Sequence, residues 1–271
     1  MRGLFELLTD PYDRQARATP ALMVALPLLL PVVAHYGLKH LALTAVLAVL
    51  SGCGAIYTLS SIARGRGKAL ETKLITEWGG LPTTIALRHR DKHIDSVTKR
   101  GYHETITSKL HINMPTAEQE RLNPEAADEA YKAAAVKLRE LTRSDKKLLL
   151  KENIAYGFHR NMVAMKPIGI FACLLALVYC ALLSKAIRLR EPYFDIDALA
   201  DPGIAAGLGS FVAFAMLCFW LFHFRKDVVQ TFGYAYADRL FECIAGVKAV
   251  PKKRGPSATK AGDNAEHAMD S

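Results

Sequence analysis

The sequence lacks the cysteine pattern of a disulfide-stabilised protein. It has five cysteines and no C-x-x-C pair, and an odd number of thiols cannot all pair within one chain. Four of them lie in strongly apolar stretches, where a thiol usually acts as a small packing residue. The pattern argues against a disulfide framework and favours packing roles for Cys53, Cys173, Cys180 and Cys218; the fifth thiol is Cys243.

Recognisable catalytic motifs are also absent. The chain has no G-x-x-x-x-G-K-[ST] nucleotide loop, no H-E-x-x-H zinc motif and no G-x-S-x-G nucleophile elbow. Residues 88–91 read Arg-His-Arg-Asp, but the Gly-rich loop and the D-F-G string of a kinase are missing. The sequence therefore favours a non-enzymatic protein and predicts no cofactor.

Lys, Arg, Asp and Glu are missing from four long stretches, although 23% of all residues are charged. A helix of about twenty apolar residues can cross the hydrocarbon core of a bilayer, with about seventeen as the lower limit. These stretches predict an all-α integral membrane protein with two transmembrane hairpins, in a 2+2 order, flanking a helical cytoplasmic domain. The predicted spans are residues 18–34, 41–63, 167–184 and 203–224.

The first predicted span contains Pro27 and Pro31, which remove backbone donors and should kink the helix. Neighbouring helices can satisfy the freed carbonyl groups, so such breaks are tolerated within a bilayer. A second apolar run follows after a few residues, without a small-x-small cleavage site between them. We therefore expect a helical hairpin that turns near residues 35–37, and not a signal peptide.

Basic residues cluster on one side of the predicted spans. Cytoplasmic flanks of membrane helices carry an excess of Lys and Arg, so both termini and the middle segment are predicted to be cytoplasmic in a bacterial inner membrane. This distribution explains the net charge of +9, and nucleic acid is not an expected partner. The flanking basic residues are Arg64, Arg66, Lys68, Arg160, Lys166, Arg225 and Lys226.

The polar segments predict the remaining layout. Asn123 is a natural N-cap for a helix that begins at Pro124 and runs to about residue 142. Thr116 and Gln119 have the spacing of a capping box, and Asp145 can cap the helix that runs into the third span. The predicted parts are an N-terminus (1–17), a helical domain (64–166), an amphipathic helix (225–250) and a disordered tail (251–271).

Residues 78–91, WGGLPTTIALRHRD, follow the helix that leaves the second span. Gly79 and Gly80 are typical of a left-handed helix end. After Pro82, the threonines at 83 and 84 are candidate N-caps for a new helix that continues to residue 95. The helices that leave the second span and enter the third should pack together as a stalk.

The same stretch is the best candidate for an anion or nucleotide contact. Free backbone N–H groups at a helix start attract anions, and arginines add charge-assisted hydrogen bonds. The alternative is a helix stop, a proline turn and a second helix with solvated arginines. The candidate ligand residues are Gly79, Gly80, Thr83, Thr84, Arg88 and Arg90.

A metal site is a further alternative in this region. His89 and His93 are four residues apart and would share a helix face, with Asp91 and Asp95 close by. No third ligand with a defined spacing follows, so the sequence predicts no metal. A membrane-bound metal-dependent enzyme with its site at His89, Asp91 and His93 stays open as a second function.

A polar stripe lies on the helix that enters the third span. Asn153, Tyr156, Arg160 and Asn161 fall on one side of it, with Gly157 among them. Polar groups near a bilayer need partners, so the stripe should make hydrogen bonds to other helices. The alternative is a gate or hinge that transmits a signal to the span.

Two strings in the chain resemble an uncharacterised family of bacterial four-span membrane proteins: W-G-G-x-P-T-T-x-x-L-R-H-R-D at 78–91, and N-x-x-Y-G-F-x-R-N with K-P-I-G at 153–169. The layout is more loosely similar to four-transmembrane effectors of anti-phage nucleotide signalling, which is an analogy of architecture. The first resemblance marks Gly79, Gly80, Pro82, Thr83, Thr84, Arg88, His89, Arg90, Asp91, Asn153, Tyr156, Gly157, Arg160 and Asn161.

The sequence thus predicts a non-enzymatic, homo-oligomeric membrane protein whose cytoplasmic domain senses an anionic ligand or a partner and acts through the membrane helices. Pro82, His89 and Asp91 would have structural or coupling roles, together with the polar stripe. A small-molecule transporter is a third function, and the lack of charged residues inside the spans disfavours it.

Overall fold

The computed structural model describes residues 9–36, 41–142 and 147–249, without the side chains of residues 41–52 and 147. In these ranges the chain is helical and forms no β-strand, apart from an antiparallel bridge between Ile187 and Phe194. The predicted all-α class is confirmed for this part of the chain. The predicted first turn, the Asp145 cap and the C-terminal tail fall wholly or partly outside the described residues.

The described helices are numbered here in chain order. The first contains a π-helical segment, Arg14–Ala18, near its beginning, and short 3-10 turns occur at Asp197–Leu199 and Cys243–Gly246. The helices are α1 (Pro11–Tyr36), α2 (Leu41–Trp78), α3 (Pro82–Ile85), α4 (Ser96–Leu110), α5 (Ala117–Leu122), α6 (Pro124–Thr142), α7 (Lys147–Leu183), α8 (Gly203–Phe222) and α9 (Lys226–Glu242).

Three described helices are long and apolar enough to cross a membrane, namely α1, α7 from Leu148 to Leu183, and α8. They contain the first, third and fourth predicted spans. The second predicted span lies in α2, and half of its side chains lie outside the described residues. Large apolar side chains face outward from these helices, including Phe171, Phe211 and Phe222. Outward apolar surface of this extent is typical of helices that face lipid or other helices.

The three apolar helices pack around one cluster of buried side chains. Trp220 of α8 is fully buried against Gly169 of α7, where an added Cβ would lie 2.2 Å from the indole ring. Met162 and Met165 of α7 and Val24 of α1 belong to the same cluster. Pro27 and Pro31 are both buried within α1, whose helix continues through them.

A second core lies in the helical domain, and α9 is part of it. Tyr131 and Leu138 of α6 are fully buried together with Leu87, and Leu240 and Phe241 of α9 pack in the same cluster. The sequence predicted a C-terminal helix at 225–250, separate from the domain at 64–166. The domain therefore includes a helix that follows α8 in the chain.

Three of the helix ends predicted from local sequence are formed. The N–H of Gly80 donates to the Ile75 carbonyl at 2.9 Å and that of Gly79 to Thr76 at 3.3 Å, with both glycines at positive φ. This is the Schellman arrangement that ends a helix. The capping box of Thr116 and Gln119 is present, and the Asn123 side chain accepts from Ala126 N–H.

The helix predicted to run from the threonines to residue 95 is wrong. After Pro82 there is one short helix, α3, whose N-cap is Leu81, and the chain then turns. Thr83 and Thr84 are buried within α3 and do not cap it. The physical reason lies at both ends of the turn. Asp95 caps α4 by accepting from the N–H groups of residues 97 and 98. At the other end, the Glu120 carboxylate accepts from a backbone N–H group of the turn.

Candidate functional site

The candidate site is the junction between the helical domain and the candidate membrane helices. Helix α7 is continuous from Lys147 to Leu183, and α2 is continuous from Leu41 to Trp78. Each runs from an apolar part into the domain, and the two pack against each other and against α1. The predicted packing of these two helices is present, so a displacement of the domain would be applied directly to the candidate membrane helices.

Glu71 of α2 lies at the centre of this junction, with 10% of its side chain exposed. Its Oε1 lies 3.2 Å from Nη1 of Arg160 and accepts a hydrogen bond from the Tyr156 hydroxyl at 3.1 Å. Its Oε2 accepts from Lys68 Nζ at 2.8 Å. The carboxylate therefore binds α2 to the polar stripe on α7.

Asn161 extends these contacts to α1. Its Oδ1 accepts from the Arg160 guanidinium at 3.3 Å, and its Nδ2 donates to the Ala16 carbonyl at 2.6 Å. Asn161 and Ala16 are fully buried, and Ala16 lies in the π-helical segment of α1. π-Helical turns often occur at functional sites. We call Glu71, Tyr156, Arg160, Asn161 and the Ala16 carbonyl the junction network.

Two glycines allow the three helices to approach at this level. A Cβ at Gly67 of α2 would lie 1.9 Å from Oδ1 of Asn161, and a Cβ at Gly157 of α7 would lie 2.6 Å from the Tyr12 hydroxyl oxygen. Since Asn161 is fully buried, it has no room to move away. Gly157, marked by the resemblance, is thus a packing position against α1.

The junction network favours the ionised form of Glu71. Burial by itself would raise the pKa of the Glu71 carboxyl. The hydrogen bond from Lys68, the charges of Arg160 and Lys68, and the Tyr156 hydrogen bond outweigh it and hold this pKa below its ordinary value. Such a carboxylate stabilises the fold above its unfolded pKa, and this stabilisation is lost as the pH falls through the folded pKa.

The arginine at the centre of the predicted anion loop binds the protein itself. Arg88 is buried, and its Nε and Nη2 donate to the two carboxylate oxygens of Asp128 at 2.8 and 2.6 Å. Nη2 also donates to the Gly79 carbonyl at 2.6 Å, and a Cβ at Gly80 would lie 2.9 Å from it. An external anion at Arg88 would have to displace Asp128.

The loop does hold an anion, and that anion is the Glu120 carboxylate. Glu120 of α5 is buried and accepts from the backbone N–H of His89 at 2.6 Å, from that of Arg90 at 3.4 Å and from the Tyr131 hydroxyl at 2.7 Å. Arg90 is half exposed, and its Nε is 3.8 Å from Glu120. Burial raises the pKa of Glu120, but these hydrogen bonds outweigh it and leave the pKa below its usual value.

The residues of the metal hypothesis bind different partners. His89 Nε2 donates to the Pro115 carbonyl at 2.9 Å, and His93 Nε2 lies 2.9 Å from Asp238 of α9. Asp91 accepts from the backbone N–H of His93 at 3.0 Å. The expected common helix face for the histidines is absent because this stretch is not helical. In the described ranges, no three His, Cys, Asp or Glu side chains form a group that could hold a metal ion.

Two buried bases also stabilise the turn. Lys99 of α4 donates to the carbonyls of Arg88 and Asp91 at 2.7 and 2.6 Å, and burial lowers its pKa. His103 of α4 donates from Nε2 to the Leu87 carbonyl at 2.9 Å. Burial lowers the pKa of His103 from 6.5 to about 4, despite that hydrogen bond. The imidazole is therefore neutral at pH 7.

We predict that the buried imidazole makes stability depend on pH between 6.5 and about 4. In this window the unfolded chain binds a proton at His103 and the folded chain does not, so stability falls as the pH falls. The variant His103→Gln keeps an N–H donor but cannot titrate. Its thermal midpoint should fall less steeply than that of the wild type, and equal slopes would contradict the assignment.

Several of these partners were missed by the sequence analysis. Glu71, Asp128 and Asp238 are separated in sequence from the residues that they bind, and nothing local distinguishes them from exposed carboxylates. Glu120 lies beside a recognisable motif, since it directly follows Gln119 of the capping box. Lys99 and His103 lie on a helix that the sequence analysis did not delimit.

Two cavities border these contacts. One, of about 870 Å³, lies between α4 and the loop before α5, beside His89 and Lys99. The other, of about 900 Å³, lies at the junction, and Tyr12, Glu71 and Arg160 are in its wall. Both are within the usual size range of ligand sites, roughly 300–1,000 Å³.

In the described ranges, fold and site together define a helical protein with candidate membrane helices and an attached helical domain. No family model, no curated protein and no solved structure matches the chain. Its function must therefore be inferred from the contacts within the molecule.

Proposed function

We propose that this chain is a non-enzymatic membrane effector in which the helical domain controls the arrangement of the membrane helices in response to a ligand or partner. The observation that carries the proposal is the junction network. It joins α2 and α7, which both run into the domain, to the base of α1 through buried side chains. Buried polar networks that are fully satisfied favour one arrangement over others.

The proposal includes four spans, with the apolar first part of α2 as the second. Both termini and the domain lie in the cytoplasm of a bacterial cell, because basic residues flank the corresponding ends of the helices. The resemblance of the two quoted strings to bacterial four-span proteins supports the same layout. Outward apolar side chains on α7 and α8 offer surface to lipid and to further copies of the chain in a homo-oligomer.

In the proposed mechanism, the junction network stabilises the resting arrangement. Glu71 and Arg160 are each about nine-tenths buried, so removing one partner leaves the other without its counter-charge. A ligand or partner that displaces the domain would strain the same contacts. Loss of the network would then release α1 from α7 at the inner surface of the membrane.

The variant Arg160→Met tests this mechanism in cells that carry an inducible copy. It removes the charge and keeps much of the side-chain volume, so it should mimic the trigger. We expect Arg160→Met to depolarise the membrane, as reported by a voltage-sensitive dye, while the wild type does not. Arg160→Lys should give an intermediate signal because it restores the charge without the forked geometry.

The control is Arg121→Met, which removes an exposed arginine from α5. All variants are compared at equal amounts in the membrane fraction. If Arg160→Met is inserted at the wild-type level and the membrane potential stays at the wild-type value, the proposed mechanism is wrong.

A further inference from the structure

The cavity of about 900 Å³ at the junction has a wall drawn from both parts of the molecule. Tyr12 at the base of α1, Tyr156 and Arg160 of α7, Arg139 at the end of α6 and Tyr236 of α9 all line it. An occupant would therefore touch the domain and the membrane helices at the same time. This position distinguishes it from the other cavity, whose wall lies wholly within residues 89–117.

The carboxylates in this wall already have partners. Asp10 caps the start of α1, and Asp13 pairs with Arg17 at 2.5 Å. Glu71 belongs to the junction network, and Glu140 pairs with Lys137 at 3.4 Å. Their negative charges are thus balanced, in whole or in part, by contacts within the protein.

Hydrogen-bond donors in the wall are available to a ligand. Among the described residues, neither the Arg139 guanidinium nor the Asn153 amide has a hydrogen-bond or ion-pair partner, and both line the cavity. Lys68 also lines it, and 74% of its side chain is exposed beyond its contact with Glu71. Lys68, Arg139 and Asn153 therefore leave hydrogen-bond donors in the wall unused, and two of these three side chains are cationic.

We propose that this junction cavity is the ligand site and that it takes an anionic group, a phosphate or a carboxylate, held by Arg139 and Asn153. A guanidinium forms paired, charge-assisted hydrogen bonds with such groups, and the tyrosine rings offer apolar surface to the remainder of the molecule. The anion is the headgroup of an acidic lipid or a soluble phosphate compound. The inference that an anion binds depends on the cavity alone. The inference that its binding acts on the membrane rests on the proposed function.

The binding test uses the full chain in lipid nanodiscs and follows its thermal unfolding. One arm compares phosphatidylglycerol with phosphatidylcholine discs, and the other adds inorganic phosphate to phosphatidylcholine discs. A bound anion raises the unfolding midpoint because it binds the folded state. We expect a rise in at least one arm, and the arm in which it occurs identifies the source of the anion.

Three variants assign the effect to the cavity. Arg139→Gln and Asn153→Ala should weaken the apparent affinity, by about tenfold or more for the arginine, and Arg121→Gln should leave it unchanged. Arg139→Lys should restore part of it. No rise in either arm, or an equal rise in Arg139→Gln and wild type, would overturn the proposal. Binding without any depolarisation by Arg160→Met would leave the site standing and refute the proposed function.

Discussion

Replacing Glu120 with alanine is expected to destabilise the helical domain by about 3–5 kcal/mol, because it leaves three hydrogen-bond donors without their acceptor. The carboxylate binds two backbone N–H groups in the turn after α3 and the hydroxyl of Tyr131. Each donor left without an acceptor in a buried setting adds a cost of about 1–3 kcal/mol. The turn would lose the contact that determines its course.

Glu118→Ala is the matched control, since Glu118 is an exposed carboxylate on the same helix. Its removal should change the free energy of unfolding by about 0.5 kcal/mol or less. The measurement is denaturant unfolding of the full chain in detergent. If the two alanine variants were equally stable, the Glu120 carboxylate would not be the anchor of the turn.

Arg88→Ala and Arg90→Ala should differ widely, although the sequence places both in one loop. Arg88 is buried and donates to Asp128 and to the Gly79 carbonyl, so its loss should cost about 3 kcal/mol or more. Arg90 is half exposed, with a 3.8 Å contact to Glu120, so its loss should cost about 1 kcal/mol or less.

The contrast between the two arginines decides between the structural and the ligand-binding interpretation of the loop. If both arginines bound an external anion, the two variants would lose anion binding equally, with little change in the free energy of unfolding. If Arg88 instead forms an ion pair within the protein, only the Arg88→Ala variant should be unstable. Unfolding midpoints of the two single variants, measured together with the wild type, separate these outcomes.

Local signals predicted three helix ends correctly, but they did not predict the long-range partners. The glycine pair, the capping box at Thr116 and the Asn123 cap each depend on residues within one turn, and each is formed. The prediction of a long helix after Pro82 was wrong because the course of the chain there depends on Glu120, which lies some thirty residues away. Periodicity cannot reveal a carboxylate that binds the amides of a distant turn.

The sequence predicted the α7 side of the junction but not its partners on α2 and α1. The stripe on α7 was visible because Asn153, Tyr156 and Asn161 are polar residues at helical spacing next to an apolar run. Glu71 and Ala16 were not visible, because one is a single carboxylate on a polar helix and the other takes part through its backbone carbonyl. Only the packing of α1, α2 and α7 brings the stripe, Glu71 and the Ala16 carbonyl together.

Control of the helix arrangement by the junction network can be measured as a distance between α1 and α8 at the end remote from the junction. Spin labels at Val33 and Ile204 occupy exposed positions near the place where Pro31 packs on Gly209. We expect Arg160→Met to shift or broaden the distance distribution between the labels, while Arg121→Met leaves it at the wild-type form. Identical distributions in all three proteins would contradict control of the candidate membrane helices by the junction network.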